Sequence, residues 1–179
     1  LQEASVIGRA FLYEILKRIT QIKEHIDTHL SSLERLDLVK TKTIQPDLEY
    51  IFKHALTQEV VYNGLLKKER KEIHEHIGRV IEKLFNVRLP EFYETLAFHY
   101  QRGQSVLKAV DYLVKSGEKS LRRYAVEEAH QYYEEAFRLL NKANKSGAES
   151  ALLIDTVLKW CQVFYYRGDA VGLVELLRD

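Results

Sequence analysis

The stretch from Leu38 to Leu56 admits few folds. Leu38, Val39, Thr41, Thr43 and Ile44 are rich in β-branched residues, Gln45-Pro46-Asp47 supplies turn chemistry, and Tyr50, Ile51 and Phe52 resume an extended pattern. This reads as a two-stranded wing that runs straight into His54 at a helix start. No other part of the chain reads as sheet. Ahead of the wing, Ala4, Val6, Ile7 and Phe11 open an apolar face and Ile15, Leu16 and Ile19 continue it. Ile26, Leu30, Leu33 and Leu36 then recur at intervals of three and four as one helical stripe. Three short helices followed by a two-stranded wing predict a winged helix.

Beyond the wing, Thr57 is the expected helix cap, and Val60, Val61, Leu65 and Leu66 keep helical spacing. Ile73, Ile77, Val80, Ile81 and Leu84 form the face of a further helix rich in Lys and Glu. This helical extension completes a first domain, residues 1–88. The second, residues 89–179, opens at Pro90 and shows tetratricopeptide-like spacing, in which small residues let two antiparallel helices approach and bulky ones fill the seam. Leu96-Ala97-x-x-Tyr100 with Ala109 and Leu113 meets the pattern. Ser116-Gly117 with Ala129, Tyr133 and Ala136 meets it again, and Trp160-Cys161-x-x-Phe164, the Gly168-Asp169 turn, Leu173 and Leu177 meet it a third time. Ala109 and Ala129 lie closer together than a full repeat of roughly 34 residues, so one helix is expected to close one pair and open the next. A plain helical bundle would satisfy the same apolar periodicity. The recurring small residues favour a short α-solenoid, which makes the whole chain mainly α.

A hydrophobic fraction of 46% and a net charge of +1 describe an ordinary folded chain whose small excess of cations lies in residues 67–90. Winged helices often bind DNA, yet between Asp27 and Asp37 the expected third helix carries Arg35 against Asp27, Glu34 and Asp37. Lys40 and Lys42 on the wing are too few to offset phosphate repulsion. A protein-contacting winged helix therefore ranks ahead of a DNA-binding regulator. Cys161 is the lone cysteine, and no signal segment or membrane-length apolar run is present, so the expected setting is cytoplasmic and reducing, without a membrane partner. The chain contains no Met, starts at Leu1 and stops within an apolar helical pattern, so it is expected to be cut from a larger protein, its repeats truncated at the C-terminus.

Few residues suggest chemistry. His25 and His29 share a helix face but lack a third metal ligand, and His74 and His76 diverge on a helix, so both pairs read as surface residues. Cys161 sits where the repeat needs a small residue, and packing explains it better than nucleophilic catalysis. Gly64, Gly78, Gly103 and Gly117 are scattered and make no phosphate loop. One tyrosine of each pair, Tyr132-Tyr133 and Tyr165-Tyr166, is expected in the core. The chain itself is expected to hold no catalytic residue, no metal and no cofactor.

The residues Phe52-Lys53-His54-Ala55-Leu56 resemble the wing-to-helix junction of the STAND class of signal-transducing ATPases, whose pattern there is Met-His-Asp-Leu. His54 matches; Lys53 and Ala55 do not. The string from His54 to Gly78, HALTQEVVYNGLLKKERKEIHEHIG, and LPEFYETLAFHY from Leu89 to Tyr100 resemble predicted ATPases fused to class III adenylate or guanylate cyclase domains and followed by tetratricopeptide repeats. The resemblance implies a regulatory segment. A protein or peptide would bind the concave face of the repeats, and the winged helix would couple that event to an adjoining ATPase using ATP or ADP with Mg. It also implies that His54 reaches the phosphate of bound ADP in the full-length parent; a residue that merely caps or packs at the strand end is the other reading. Related architecture in transcriptional regulators and kinases carries different output domains.

Overall fold

The computed structural model describes residues 1–142 and 147–178, which divide into two compact units: 1–89 with 102–104, and 90–101 with 105–178. Unit 1 runs α1 (Gln2–Ile7), β1 (Ala10–Leu12), α2 (Tyr13–Ile19), α3 (Ile26–Arg35), β2 (Val39–Thr43), β3 (Glu49–Phe52), α4 (Ala55–Asn63) and α5 (Lys67–Leu84). The three strands form one antiparallel sheet in the order β1-β3-β2. Helix, strand, two helices and two strands in that sheet order make a winged helix.

The wing expected from the sequence is present, but it is joined by a third strand. Phe11 was expected on a helical face; it lies instead in β1 opposite Tyr50, with Ala10 opposite Ile51 and Leu12 opposite Glu49. Three residues are too few for a period to declare itself. What fixes β1 is tertiary: the Phe11 ring is 1% exposed, stacks 5.9 Å from Tyr50 and meets Phe52 edge-on at 5.7 Å. Between β2 and β3, Val39 pairs with Phe52 and Thr41 with Tyr50 before an irregularity that brings Thr43 opposite Glu49. Phe52 and Val39 are thereby driven inward to join Val6, Ile15 and Leu30 in the core. Leu36 was expected on the α3 stripe. It caps that helix and is exposed, because the chain turns at Asp37 with a left-handed φ of 61°.

The helix after the wing begins one turn earlier than expected, with His54 at the cap position and Thr57 inside. It ends at Gly64, and Leu66 caps α5, its N–H donating to Glu69 Oε2 at 3.0 Å. α5 buries His74, Ile77, Gly78 and Ile81, a stripe at intervals of three, one and three. Val60 and Leu66, which keep helical spacing on paper, are both exposed, one on α4 and the other at the cap of α5.

Unit 2 contains most of α6 (Tyr93–Arg102) and then α7 (Val106–Arg122), α8 (Val126–Lys142), α9 (Gly147–Arg167) and α10 (Ala170–Leu176). Leu96, Ala97, Tyr100, Ala109 and Leu113 are all buried, and the Tyr100 and Tyr112 rings stack at 5.8 Å. The second set forms the tightest seam. A Cβ on Gly117 would lie 2.9 Å from Cε2 and Cζ of Tyr133, so glycine is what lets α7 meet the α8 ring. Ala129, Tyr133, Ala136 and Leu140 are buried at spacings of four, three and four along α8. Packed helical pairs built on small residues are thus present. The third set holds in part: Trp160 and Phe164 are buried and Gly168 turns the chain with φ 66°, but Leu173 is only half-buried and Leu177 is exposed just past α10.

Candidate functional site

The wing delivers His54 to the N-terminal end of α4 and leaves it there exposed. Its backbone is extended, with φ −116° and ψ 130°, and its carbonyl accepts from Thr57 N at 3.1 Å. The ring makes no capping hydrogen bond. The junction is held from both sides. Phe52 is fully buried, Phe52 N donates to Arg9 O at 2.9 Å, and Lys53 N donates to Leu38 O at 3.0 Å. The Lys53 ammonium pairs with Asp37 in the turn between α3 and β2. On α4 itself, Gln58 Nε2 donates to Ser5 O at 2.7 Å, tying the helix to α1.

The same helix buries none of its residues. Leu56 and Val60, four apart and therefore on one face, are 68% and 62% exposed. No acidic side chain occupies its first turn, so nothing there opposes the partial positive charge that a helix N-terminus carries. The arrangement can offer an imidazole hydrogen bond and a helix end to an anion, next to an uncovered apolar strip.

The other residues singled out in the sequence are dispersed. His25 and His29 are exposed, and among the described residues no group of three or more His, Cys, Asp or Glu is placed to hold a metal. His74 corrects the surface reading: it is 1% exposed, and its Nε2 lies 3.1 Å from the Tyr62 hydroxyl. Burial, with help from Arg102 and Arg70, pushes its pKa down to about 4, so it stays neutral near pH 7. His76, two residues on, is exposed as expected. Cys161 is a free, half-buried thiol. Of the tyrosine pairs, Tyr133 is buried beside half-buried Tyr132, whereas Tyr165 and Tyr166 are 81% and 58% exposed, contrary to the expectation of one in the core. The inward positions there are taken by Val163 and Phe164.

One arrangement escaped the sequence. His130 of α8 accepts from Trp160 Nε1 of α9 at 3.0 Å through Nδ1. Arg167 Nη1 lies 3.1 Å from Nδ1 and 3.2 Å from Nε2. Near-equal distances to two nitrogens whose lone pairs diverge place that guanidinium nitrogen across the ring, not along one hydrogen-bond direction. Burial and Arg167 both lower the His130 pKa. Residues 30 and 37 apart in sequence leave no local signal for such a cluster.

No family model matches the chain. No solved structure matches it. A protein of Rhizobium meliloti (strain 1021), described as uncharacterized, is 32% identical over 105 residues, 58% of this chain. The chain spans about one tenth of that protein's length. Among the described residues, no helix is long and apolar enough to cross a membrane.

Proposed function

We propose that these residues form a non-catalytic regulatory and protein-interaction segment of a multidomain signalling ATPase with an output domain of the adenylate or guanylate cyclase type. The winged helix couples partner binding on the tetratricopeptide-like repeats to the nucleotide state of the adjoining ATPase. ATP or ADP with Mg belongs to that domain and not to this chain. The lone Cys161 fits a reducing, cytoplasmic setting.

The observation that carries the reading is His54, exposed at a helix end on a junction fixed by buried Phe52 and the Lys53–Asp37 pair, beside uncovered Leu56 and Val60. An imidazole so placed donates to a phosphate oxygen of bound diphosphate, holds the winged helix against the ATPase, and lets go when the nucleotide changes. Two cation-poor elements support a protein contact over a DNA contact. On α3, Glu34 is engaged by Thr41 N and Oγ1 at 3.1 and 2.9 Å, and on the wing Lys42 is paired with Glu49 at 2.9 Å. The test is His54→Ala in the longer protein, where basal output should rise while the thermal midpoint of the isolated chain stays put. Unchanged output would remove the coupling role, and tight retardation of duplex DNA by the chain at moderate salt would replace it with the DNA-binding reading.

A further inference from the structure

α9 is apolar on two opposite faces, and unit 2 covers one of them. Inward, Trp160, Val163 and Phe164 are buried. On the opposite side, at about 100° per residue, Ala151, Ile154, Leu158 and Tyr165 fall within about 60° of one another. All four are exposed, Ile154 to 61%, Leu158 to 63% and Tyr165 to 81%. A helix that is apolar all round belongs between two packed layers, and unit 2 supplies one.

The spacing of the outer face says what fits it. Ala151, Ile154, Leu158, half-buried Cys161 and Tyr165 follow one another at intervals of three, four, three and four, the seam by which one helix lies along another. No charge interrupts the seam. The charged residues of 150–167 lie beside it and are paired within the chain: Asp155 with Lys159 at 2.9 Å, Lys159 also with Glu118 of α7 at 2.8 Å, and Arg167 with Glu127 of α8 at 3.1 Å. An ionic partner finds nothing to pair with, whereas two copies of the seam meet without like-charge repulsion. The seam is also self-complementary. A two-fold axis at Leu158 sets Leu158 against its own copy, Ile154 near Cys161, and the small Ala151 opposite the large Tyr165.

We propose that α9 is a dimer interface: the seam from Ala151 to Tyr165 packs antiparallel, about a two-fold axis at Leu158, on the same seam of a second copy. With roughly two thirds of three large side chains uncovered, each copy brings on the order of 400 Å², half of the about 800 Å² per partner of a standard interface, with Gln162 and Tyr166 at the rim. The dimer is therefore weak and concentration-dependent. It goes beyond the coupling role proposed above and needs neither His54 nor a nucleotide.

Sedimentation equilibrium of the whole chain from about 1 to about 500 µM should show monomer passing to dimer. Leu158→Glu should raise the dissociation constant at least about tenfold, because each copy would place a carboxylate on the axis against its own kind. Leu158 is largely exposed, so the unfolding midpoint of that variant in dilute solution should match wild type. Cross-linking reports the axis. In a Cys161→Ser background, Leu158→Cys should join two copies through a short bismaleimide, whereas Ala151→Cys, about 21 Å from its own copy along the pair, should not. A monomer at every concentration would leave the seam to a different partner and overturn the proposal. A dimer equally tight with Leu158→Glu, no cross-link through Leu158→Cys, or an equal cross-link through Ala151→Cys would each overturn it as well. The ADP affinity and output of a His54 variant are separate readouts, so loss of the dimer and loss of the coupling role are distinguishable.

Discussion

Replacing Gly117 by alanine sets two opposite effects against each other, and the geometry decides which wins. In the middle of α7 the change should stabilise the helix by about 1 kcal/mol, because alanine loses less backbone entropy than glycine. Against that, the new Cβ would sit 2.9 Å from Cε2 and Cζ of Tyr133 and 3.2 Å from Cδ2. Carbon pairs rest at about 3.5 to 4.0 Å, so ring or helix must retreat by roughly half an ångström or more. Tyr133 is fully buried and has nowhere to swing. Overpacking of this kind costs about 1 to 3 kcal/mol, which leaves Gly117→Ala about 1 kcal/mol destabilising on balance. Urea denaturation followed by Trp160 emission reads unit 2 alone. The decisive arm is a double-mutant cycle with Tyr133→Leu, which removes the ring: the two changes should couple by about 0.5 kcal/mol or more, Gly117→Ala becoming neutral or stabilising once the ring is gone. A stabilising Gly117→Ala in the wild-type background, or strict additivity with Tyr133→Leu, would refute the close crossing of α7 and α8.

Ala129 lies in the same seam and is fully buried, so Ala129→Leu should lower the denaturation midpoint by an amount equivalent to about 1 to 3 kcal/mol; no change would disprove the register. Tyr133→Phe should cost less than about 1 kcal/mol, because the hydroxyl makes no hydrogen bond among the described residues; a larger loss in the same assay would contradict that. His74 should make unit 1 sensitive to acid. Its pKa falls from about 6.5 in the unfolded chain to about 4 in the folded one, so the unfolded state takes up the proton first. The stability it confers is complete above about pH 6.5 and is lost as pH falls toward 4, on the order of 3 kcal/mol in all. His74→Gln should flatten that slope, as judged by urea midpoints at neutral pH and near pH 4.5 followed by circular dichroism; parallel slopes would rule out His74 as the source.

What was legible in the sequence follows from how local each signal is. The wing was readable because Val39, Thr41 and Thr43 alternate with polar residues before a Pro46 turn, and the repeat seam because Gly117, Ala129 and Ala136 are small at positions where long helices cross. β1 was not, since three residues carry no period and Phe11 is placed by the rings of Tyr50 and Phe52. His74 was misread for a related reason. A histidine on a helix rich in Lys and Glu looks solvated, and only its spacing to Ile77, Gly78 and Ile81 betrays the buried stripe. The exposure of Tyr165 and Tyr166 was likewise set by which neighbours, Val163 and Phe164, took the inward positions. His54 was found through a short resemblance, whereas the cluster of His130, Trp160 and Arg167 joins residues 30 and 37 apart and left no local signal.

The central claim is that His54 holds the winged helix to a diphosphate-bound ATPase, and ADP affinity tests it most directly. Calorimetric titration of ADP with Mg into the longer protein, wild type against His54→Ala, should show weaker ADP binding in the variant, by about the 1.5 to 3 kcal/mol typical of a hydrogen bond to a charged group. The unfolding midpoint of the chain itself should be unchanged, because the ring is exposed and caps nothing. Equal ADP affinity in the two proteins would contradict the account and leave His54 a residue of the strand-to-helix turn alone.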